Sequence, residues 1–446
     1  MASHSVSPAR AVVAESLASV SRSFIDFDPD ALSCDRLDLR DRRLALRIGR
    51  HAMQRWITIE HLLDRIGNQP LWALEPMLRG ILVSAAAQLV FMDRQPAHAV
   101  VNDSVQLARD RIRPGAGGLV NAVLRRLSGL VDQRVTHSAW TPGPDRLPLE
   151  DGYLRLVEPC LPPPGQWLDH LTLATSHPSQ LVARWSKQYG RAGTVSMCLQ
   201  GLRTPPTIVA VERDFDQGAL AGATEPHADE RFVLWHRSRD ELTEFLRGHS
   251  DRRVQDPATA EPVSAVVPMA PARCVLDYCA GRGTKTAQLL GGYGDARIVA
   301  TDICADRRAA LRRRFSDRAN LQVAEPGALQ PFTGGVDLLV LDVPCSNTAV
   351  LARRPEARYR YGRTSVDSLV ALQRQIATSA IRLLAPGGTV LYITCSLDEA
   401  ENQQQVRWMA ERFRLHVLQS VLRPPRGRQR SYSDGCFYAV LRRRSQ

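Results

Sequence analysis

The chain has 446 residues, of which 58 are basic and 46 are acidic, and its formal net charge is +12. This length predicts two or three domains, and the apolar runs are too short to span a membrane. The nine cysteines show neither the spacing of a disulfide framework nor paired zinc-ligand spacing, so they predict free thiols and no metal site. The excess of positive charge favours a polyanionic partner, although a basic composition alone does not establish nucleic-acid binding.

The N-terminal part of the chain has the pattern of packed helices. Residues 1–10 contain no apolar signal segment, so we expect a cytoplasmic protein. Within residues 1–130, apolar side chains recur at helical spacing from 74 to 89, and further helices are predicted from Pro96 and over 119–127.

Three polar residues on these helices, His98, Asn102 and Asn121, have two possible roles. They either contact RNA or, as is more common, form hydrogen bonds between packed helices.

The middle of the chain divides into two stretches. Residues 131–165 are rich in proline and predict a partly extended linker. Residues 166–267 predict helix from 167 to 202 and then a mixture of short strands and helices. We expect a small helical and α/β subdomain here.

Strands and helices alternate in residues 268–446. Strands are predicted at 274–277, 298–302, 321–323, 336–341, 390–393 and 437–441. This alternation predicts an α/β fold with a Rossmann-like, doubly wound parallel sheet. In such a sheet ligands bind outside the carboxyl ends of the strands, so the residues that follow the strands become candidates for a site.

A glycine turn follows the first of these strands. It consists of Cys279, Ala280, Gly281, Arg282, Gly283, Thr284 and Lys285. Glycine lets the backbone approach a ligand closely, and Asp302 at the end of the next strand is spaced to accept hydrogen bonds from ribose hydroxyls. The turn therefore predicts a nucleoside ligand, although the glycine pattern alone would also suit a dinucleotide enzyme. Lys285 is one of only two lysines, which suggests a position that arginine cannot fill.

A cysteine follows the strand 390–393. Ser396–Glu399 has the capping-box pattern and predicts the start of a helix directly after Cys395. A helix N-terminus would favour the thiolate form of Cys395, whereas the alternative is a buried structural thiol.

A second cysteine, Cys345, follows another strand together with Asp342. Two cysteines and a carboxylate suit covalent catalysis on a poor nucleophile rather than hydride transfer. A thiolate that adds to carbon 6 of a pyrimidine makes carbon 5 able to attack a methyl donor, and an acid near ring nitrogen 3 assists the addition. A base must then remove the carbon 5 proton before the thiol can leave.

These motifs resemble those of the Sun/RsmB family of RNA cytosine carbon-5 methyltransferases. The similar segments are Asp342–Ser346, Tyr392–Ser396, Glu401–Asn402 and Asp434–Tyr438. Upstream, the segments Asp41–Arg42, Leu78–Arg79, Gln88–Leu89, Pro96–Asn102 and Leu119–Arg126 resemble the NusB-like RNA-binding helical domain. A NusB-like domain ahead of such a catalytic domain is the arrangement of the same family.

The resemblance implies a monomer that transfers a methyl group from S-adenosylmethionine to carbon 5 of a cytosine in small-subunit ribosomal RNA. Cys395 matches the nucleophile, Cys345 the cysteine that assists release, and Asp342 the carboxylate that contacts the base and lies against the donor. The glycine turn and Asp302 match the S-adenosylmethionine site, with Glu325 where the family usually has an aspartate near the adenine.

The sequence also departs from the family pattern. Residues 280–286 read Ala-Gly-Arg-Gly-Thr-Lys-Thr where the family has Ala-Ala-Pro-Gly-Gly-Lys-Thr, and residues 347–349 read Asn-Thr-Ala in place of Gly-Thr-Gly. Two alternatives therefore stay open. One is a transfer RNA cytosine methyltransferase, and the other is a non-catalytic RNA-binding assembly factor that no longer holds the donor.

Overall fold

The structure is a computed structural model that describes residues 6–23, 32, 34–93, 95–211, 215, 222–249, 252–362 and 366–444. The chain forms two compact units. The first comprises Met1–Thr204 with Leu351–Arg363, and the second comprises Pro205–Val350 with Thr364–Gln446. No helix in the described part of the chain combines the length and the apolar composition needed to cross a membrane.

The first unit is mainly helical, as its apolar periodicity predicts. Its helices up to residue 200 are α1 (Pro8–Ser23), α2 (Leu39–Gln54), α3 (Trp56–Ile66), α4 (Pro76–Ala86), α5 (Ala97–Arg111), α6 (Ala116–Leu130), α7 (Trp167–Thr175) and α8 (Ser179–Gln200). The pattern at 74–89 forms α4 and a π-helical turn at Ala87–Phe91, and α5 begins directly after Pro96. Residues 24–31, 33 and 94 of the predicted helical stretch lie outside the described residues.

Helix α1 packs closely on α4 in the core of this unit. A Cβ atom at Gly80 would overlap the α1 backbone at Ala14 and Ala18, so only glycine permits this approach. The Arg10 side chain on α1 donates to Asp103 Oδ2 at 2.6 Å and to Gln88 Oε1 at 2.8 Å. Gln88, which belongs to the NusB-like pattern, therefore helps to satisfy a partly buried charge.

His98, Asn102 and Asn121 differ in their surroundings. His98 and Asn102 are exposed on α5, so neither lies between packed helices. Asn121 is half-buried and accepts a hydrogen bond from Arg125 Nε on its own helix at 3.0 Å. The packing interpretation is therefore wrong for His98 and Asn102.

The proline-rich stretch is not an extended linker. It contains three strands, β1 (Val131–Val135), β2 (Arg146–Leu149) and β3 (Gly152–Leu156), which pair antiparallel in the order β1-β3-β2. Leu147 and Leu154 are fully buried in the core of the helices. Strands of four or five residues are too short to show a clear alternation of buried and exposed positions, so the surrounding prolines were the stronger signal.

The second unit contains two sheets and the remaining elements. Its elements are β4 (Thr207–Ala210), β5 (Thr224–Pro226), β6 (Phe232–Trp235), α9 (Arg239–Leu246), β7 (Arg253–Val254), α10 (Pro257–Val266), β8 (Cys274–Asp277), α11 (Thr284–Gly292), β9 (Arg297–Ala300), α12 (Ala305–Arg314), β10 (Leu321–Val323), β11 (Val336–Asp342), α14 (Val366–Ala380), β12 (Leu384–Thr394), α15 (Gln403–Phe413), β13 (Leu415–Arg423) and β14 (Cys436–Arg443). A short helix, α13 (Ala357–Arg360), belongs to the first unit.

The segment that contains α13 is held in the first unit by buried hydrogen bonds. Arg358 is fully buried and donates to the carbonyl oxygens of Gln54 at 3.0 Å, Ser176 at 3.2 Å and Gly201 at 2.8 Å. The Tyr359 hydroxyl donates to Met53 O at 2.6 Å. A piece of chain that follows β11 in sequence is thus part of the helical unit.

The larger sheet of the second unit has the strand order β10-β9-β8-β11-β12-β14-β13. Strands β10, β9, β8, β11 and β12 run parallel, whereas β14 is antiparallel to both of its neighbours. Leu339 and Leu341 of β11 pack with residues of α14 and α15, while Leu338 and Val340 pack with residues of α10 and α11. The predicted Rossmann-like doubly wound sheet is confirmed, with helices on both of its faces.

Four parallel strands bring the candidate residues to one edge of this sheet. The carboxyl ends of β8, β9, β11 and β12 are followed by the glycine turn, Asp302, Cys345 and Cys395, respectively. The smaller sheet has the order β5-β6-β4-β7 and pairs antiparallel. Residues 212–214 and 216–221, which lie in the predicted mixed segment, fall outside the described residues.

Candidate active site

The glycine turn adopts the backbone conformation that its residue types predict. Gly281 has φ +56° and Gly283 has φ +81°, and Gly283 caps the N-terminus of α11. A Cβ atom at Gly283 would lie 2.6 Å from Leu311 Cδ2 and 2.7 Å from Phe315 Cε2, whereas one at Gly281 would meet open space. The turn therefore needs glycine at 283 for both its backbone angle and its packing.

The other members of the turn have different surroundings. The Ala280 N–H donates to Thr301 O at 2.9 Å, and Thr284 is the first residue of α11. Arg282 is exposed, and its carbonyl oxygen accepts from Arg314 Nη1 at 2.9 Å. Burial raises the pKa of the Cys279 thiol, and the neighbouring carboxylates add to the effect, so Cys279 is a neutral thiol.

Asp302 connects the glycine turn to the end of β9. Its Oδ2 accepts from the Gly281 N–H at 2.9 Å, and its Oδ1 accepts from the Cys304 N–H at 2.9 Å. The side chain of Asp302 is almost completely buried, and Arg307 Nη1 lies 3.6 Å from Oδ2. Asp302 is thus fixed in orientation beside the turn, where each of its oxygens retains acceptor capacity.

Glu325 is exposed and pairs with two arginines of α12. Its carboxylate contacts Arg308 and lies 2.9 Å from Arg312 Nη2. The hydrogen bond from Arg312 lowers the pKa of Glu325, with Arg308 acting in the same direction. Glu325 follows β10, next to the strand that leads to Asp302.

Lys285 and Asp342 form an ion pair between α11 and the end of β11. Lys285 Nζ lies 2.7 Å from Asp342 Oδ2, and both side chains are mostly buried. Burial alone would lower the pKa of Lys285, but the charges of Asp342 and Cys395 and the hydrogen bond to Asp342 outweigh it, so the pKa is raised. Lys285 is therefore an ammonium that attracts negative charge at both Asp342 and Cys395.

Asp277 at the end of β8 is a candidate that sequence reasoning did not select. It is fully buried, and its Oδ2 accepts from Thr286 Oγ1 at 2.7 Å, while its Oδ1 has no hydrogen-bond partner. Burial raises its pKa to about 7 despite the hydrogen bond from Thr286. Its position could have identified it, because Asp277 ends one parallel strand as Asp342 ends another.

The two cysteine-bearing loops are in direct contact. The Cys395 N–H donates to Cys345 Sγ at 3.2 Å, and the Ala349 N–H donates to Cys395 O at 3.0 Å. Both thiols are half-buried. Burial raises the pKa of Cys345, and the charges of Cys395 and Glu401 add to the effect.

The predicted helix start after Cys395 is wrong. Helix α15 begins at Gln403, and residues 395–402 form a loop. The Asn402 side chain donates to Ser396 O at 2.8 Å and accepts from Thr394 Oγ1 at 2.6 Å, and the Ser396 hydroxyl donates to Glu401. These side-chain bonds compete with a capping box, so Cys395 does not lie at a helix N-terminus.

The described residues contain no group of three or more His, Cys, Asp and Glu side chains arranged to hold a metal ion. The acidic residues at the sheet edge contact ammonium, hydroxyl and backbone N–H groups instead.

Comparisons with known proteins agree with this architecture. Residues 265–432 match the family model 16S rRNA methyltransferase RsmB/F, and residues 7–129 match the NusB family. The ribosomal RNA small subunit methyltransferase B of Xanthomonas campestris pv. campestris is 30% identical over 430 residues, which cover 91% of this chain and 89% of that protein. The protein of the same name from Vibrio cholerae serotype O1 is 28% identical, with 90% and 89% covered.

Solved structures show the same fold. The crystal structure of PH0851 superposes with a TM-score of 0.70 at 20% identity and covers 97% of this chain and 98% of that chain. A NusB-like helical region followed along the chain by this seven-stranded sheet defines a Rossmann-like methyltransferase. The sequence identity and the length of the matches also define the family. The chain belongs to the RsmB/F family of 16S rRNA methyltransferases, and it is an RNA methyltransferase.

Proposed function

We propose that this protein transfers a methyl group from S-adenosylmethionine to carbon 5 of a cytosine in small-subunit ribosomal RNA, through a covalent adduct with Cys395. The observation that carries the proposal is the contact between the two cysteine loops, with the Cys395 N–H 3.2 Å from Cys345 Sγ. Covalent catalysis at a pyrimidine needs one thiol to add and a further group to assist its release, and the pairing of two cysteines at this edge supports that chemistry.

The residues at the edge fit a nucleoside-bearing methyl donor. The glycine turn offers backbone close to the start of α11, and Asp302 is oriented beside it with acceptor capacity for ribose hydroxyls. The unpartnered Oδ1 of buried Asp277 is an acceptor for a cationic or N–H group of the ligand. S-adenosylmethionine, when bound, supplies a methyl group activated by its positively charged sulfur.

Cys395, Asp342, Lys285 and Cys345 each have a role in the proposed reaction. The Cys395 thiolate forms a bond to carbon 6 of the cytosine, which makes carbon 5 nucleophilic enough to accept a methyl group. Asp342 contacts the base near ring nitrogen 3, and Lys285 at 2.7 Å from Asp342 balances the negative charge that gathers there. A base then takes the carbon 5 proton, the electron pair of that bond restores the double bond between carbons 5 and 6, and Cys395 Sγ leaves carbon 6 as the thiolate. Cys345 assists this release.

Two arguments bear on RNA recognition: the net charge of the protein and the way in which a cytosine can reach Cys395. The net charge of +12 provides salt-dependent attraction to phosphates. A cytosine inside a duplex could not reach Cys395, so the target must be extruded or lie in a loop. A small-subunit ribosomal substrate is the one named for the relatives from Xanthomonas campestris pv. campestris and Vibrio cholerae serotype O1.

The test is methylation of total RNA in vitro followed by bisulfite sequencing. The purified protein with S-adenosylmethionine is expected to protect a single cytosine of small-subunit ribosomal RNA from conversion, and Cys395→Ala protein is the matched control. Protection of a transfer RNA cytosine instead would favour the first alternative.

The departure of the glycine turn from the family pattern favours the second alternative, a non-catalytic RNA-binding factor. Calorimetry with S-adenosylmethionine separates the two, because the proposal requires a measurable heat of binding. Absence of binding together with absence of a protected cytosine would overturn the proposal.

A further inference from the structure

A buried carboxylate links the two cysteine loops through the residue that follows each cysteine. Glu401 is fully buried and lies between β12 and α15. Ser346 follows Cys345, and its backbone N–H donates to Glu401 Oε1 at 2.9 Å while its hydroxyl donates to Oε2. Ser396 follows Cys395, and its hydroxyl donates to the same Oε2.

The residue before Cys345 is tied to the same cluster. Gln373 Nε2 on α14 donates to Glu401 Oε1 at 3.1 Å and to Pro344 O at 2.9 Å. The Tyr392 hydroxyl on β12 donates to the Glu401 carbonyl oxygen at 2.8 Å. Both neighbours of Cys345 in the chain are thus fixed by Glu401 or by a direct partner of Glu401.

The pattern of donors suits an ionised carboxylate. Two donors reach Oε1 and two reach Oε2, which uses the acceptor sites of a carboxylate with no hydrogen of its own. Burial raises the pKa of Glu401, while the hydrogen bonds from Ser346 and Ser396 act against burial. Hydrogen bonds to a charged group are about twice as strong as neutral ones, so Glu401 holds the two cysteine loops together.

The negative charge has a consequence for the choice between two thiols. A site with two cysteines beside one base must let only one of them add to carbon 6. The groups that interact with Cys345 and carry or can carry charge are Cys395 and Glu401 on the adjacent loop and Tyr392 on β12. Burial is the largest cause that disfavours a negative charge on Cys345, and Cys395 and Glu401 add to it.

We propose that Glu401 is a positioning residue that fixes the two cysteine loops against each other through Ser346 and Ser396. Its negative charge adds to burial and to Cys395 in favouring the thiol form of Cys345. The inference rests on the proposed function for the roles of the two cysteines. It adds a reason why Cys395, and not Cys345, is the nucleophile, since only the thiolate attacks.

The test measures how alkylation of Cys345 by iodoacetamide depends on pH, with the modified peptide quantified by mass spectrometry. The parent protein carries Cys395→Ser, so that Cys345 is followed without the second thiol. We expect a midpoint above the ordinary thiol value of about 8.5. Adding Glu401→Gln should lower this midpoint, because a nearby negative charge is removed.

A matched control removes another buried charge from the same loop. Asp398 is buried, and its Oδ1 accepts from the Ala400 N–H at 2.9 Å. Asp398→Asn in the same parent should leave the midpoint of Cys345 unchanged. A merely structural effect of Glu401→Gln would raise the alkylation rate at every pH and leave the midpoint in place, and that result would overturn the proposal.

Turnover gives an independent measurement in the protein with both cysteines. Glu401→Gln should lower kcat about 100-fold, the cost typical of misplaced catalytic groups, while the KM for RNA stays the same because Glu401 is buried away from any ligand. Loss of RNA affinity with unchanged kcat would contradict a positioning role.

The outcomes separate this inference from the proposed function. If the wild-type protein methylates no cytosine, the proposed function is wrong. If the wild type is active but Glu401→Gln leaves the pH midpoint of Cys345 alkylation unchanged, only this inference is wrong. If Glu401→Gln does not fold, the Cys395→Ser parent still decides the matter, because a Cys345 midpoint at or below about 8.5 overturns the inference.

Discussion

The backbone N–H of Cys395 donates to the sulfur of Cys345 at 3.2 Å. The two residues follow neighbouring parallel strands, β12 and β11, so their contact is a direct result of strand order. A shift of either strand by one residue would turn these side chains to opposite faces of the sheet. The paired strands are buried on both faces, which fixes their register and with it the distance between the two loops.

The two cysteines should give opposite phenotypes when each is replaced. Cys395→Ala is expected to abolish formation of 5-methylcytosine, because no thiol is left to add to carbon 6. Cys345→Ala is expected to accumulate a protein–RNA adduct, because addition still occurs and release is impaired. The adduct is detected as a band of lower mobility on a denaturing gel.

Cys160→Ala serves as the control, since Cys160 is a buried thiol of the first unit. It should retain turnover and form no adduct. Retained turnover in Cys395→Ala, or absence of an adduct in Cys345→Ala, would contradict the assigned roles.

Replacing Gly283 should weaken donor binding. Gly283→Ala forces a side chain into φ +81° and places its Cβ 2.6 Å from Leu311 Cδ2, so the glycine turn must move. We expect the affinity for S-adenosylmethionine, measured by calorimetry, to fall at least about tenfold, since strain of this kind costs on the order of 1–3 kcal/mol.

Gly291 provides a matched control on the same helix. A Cβ there meets open space, and Gly291→Ala in α11 should leave binding intact and stabilise the protein by about 0.5–1 kcal/mol. Equal binding by Gly283→Ala and wild type would show that the turn does not contact the donor.

The buried carboxyl of Asp277 should make stability depend on pH. Burial raises its pKa to about 7, whereas the unfolded chain has about 3.9. Between these values the folded protein binds more protons than the unfolded one, so this contribution to stability is lost as pH rises from about 4 to about 7.

Asp277→Asn removes the ionisation and keeps an oxygen for Thr286. Relative to wild type, the variant should therefore gain stability as the pH rises from about 5 to about 7, by roughly 1.4 kcal/mol for each pH unit, and gain little more above that range. Urea unfolding curves recorded at about pH 5 and about pH 8 measure the gain. A difference between variant and wild type that stays constant with pH would refute the raised pKa.

Removing the Arg358 side chain should loosen the first unit. Arg358→Ala leaves the carbonyl oxygens of Gln54, Ser176 and Gly201 without this donor and opens a cavity, at a cost of at least about 3 kcal/mol. Hydrogen exchange of amides near these residues should accelerate at least about 100-fold if they open with the unit.

The exposed Arg354 lies in the same segment and is the control. Arg354→Ala should change stability by no more than about 0.5 kcal/mol. Unchanged exchange in Arg358→Ala would show that the segment is not held by these bonds.

Local patterns in the sequence were enough for the main elements and for most of the candidate residues. Apolar periodicity located α4 and α5, because burial on one face imposes a helical period, and continuous apolar runs located the strands β8, β11 and β12, which are buried on both faces. Residues after strand ends were identified for the same reason, since the carboxyl edge of a parallel sheet collects them.

The remaining features depend on contacts between residues far apart in the chain. Lys285 pairs with Asp342, Glu401 joins the serines after both cysteines, and residues 351–363 belong to the helical unit. The loop after Cys395 carries a local capping signal, yet its polar side chains bond to other partners and α15 begins at Gln403. Sequence alone determined which residues reach the sheet edge, and tertiary structure decided which of them meet, because hydrogen bonds between distant segments leave no periodicity along the chain.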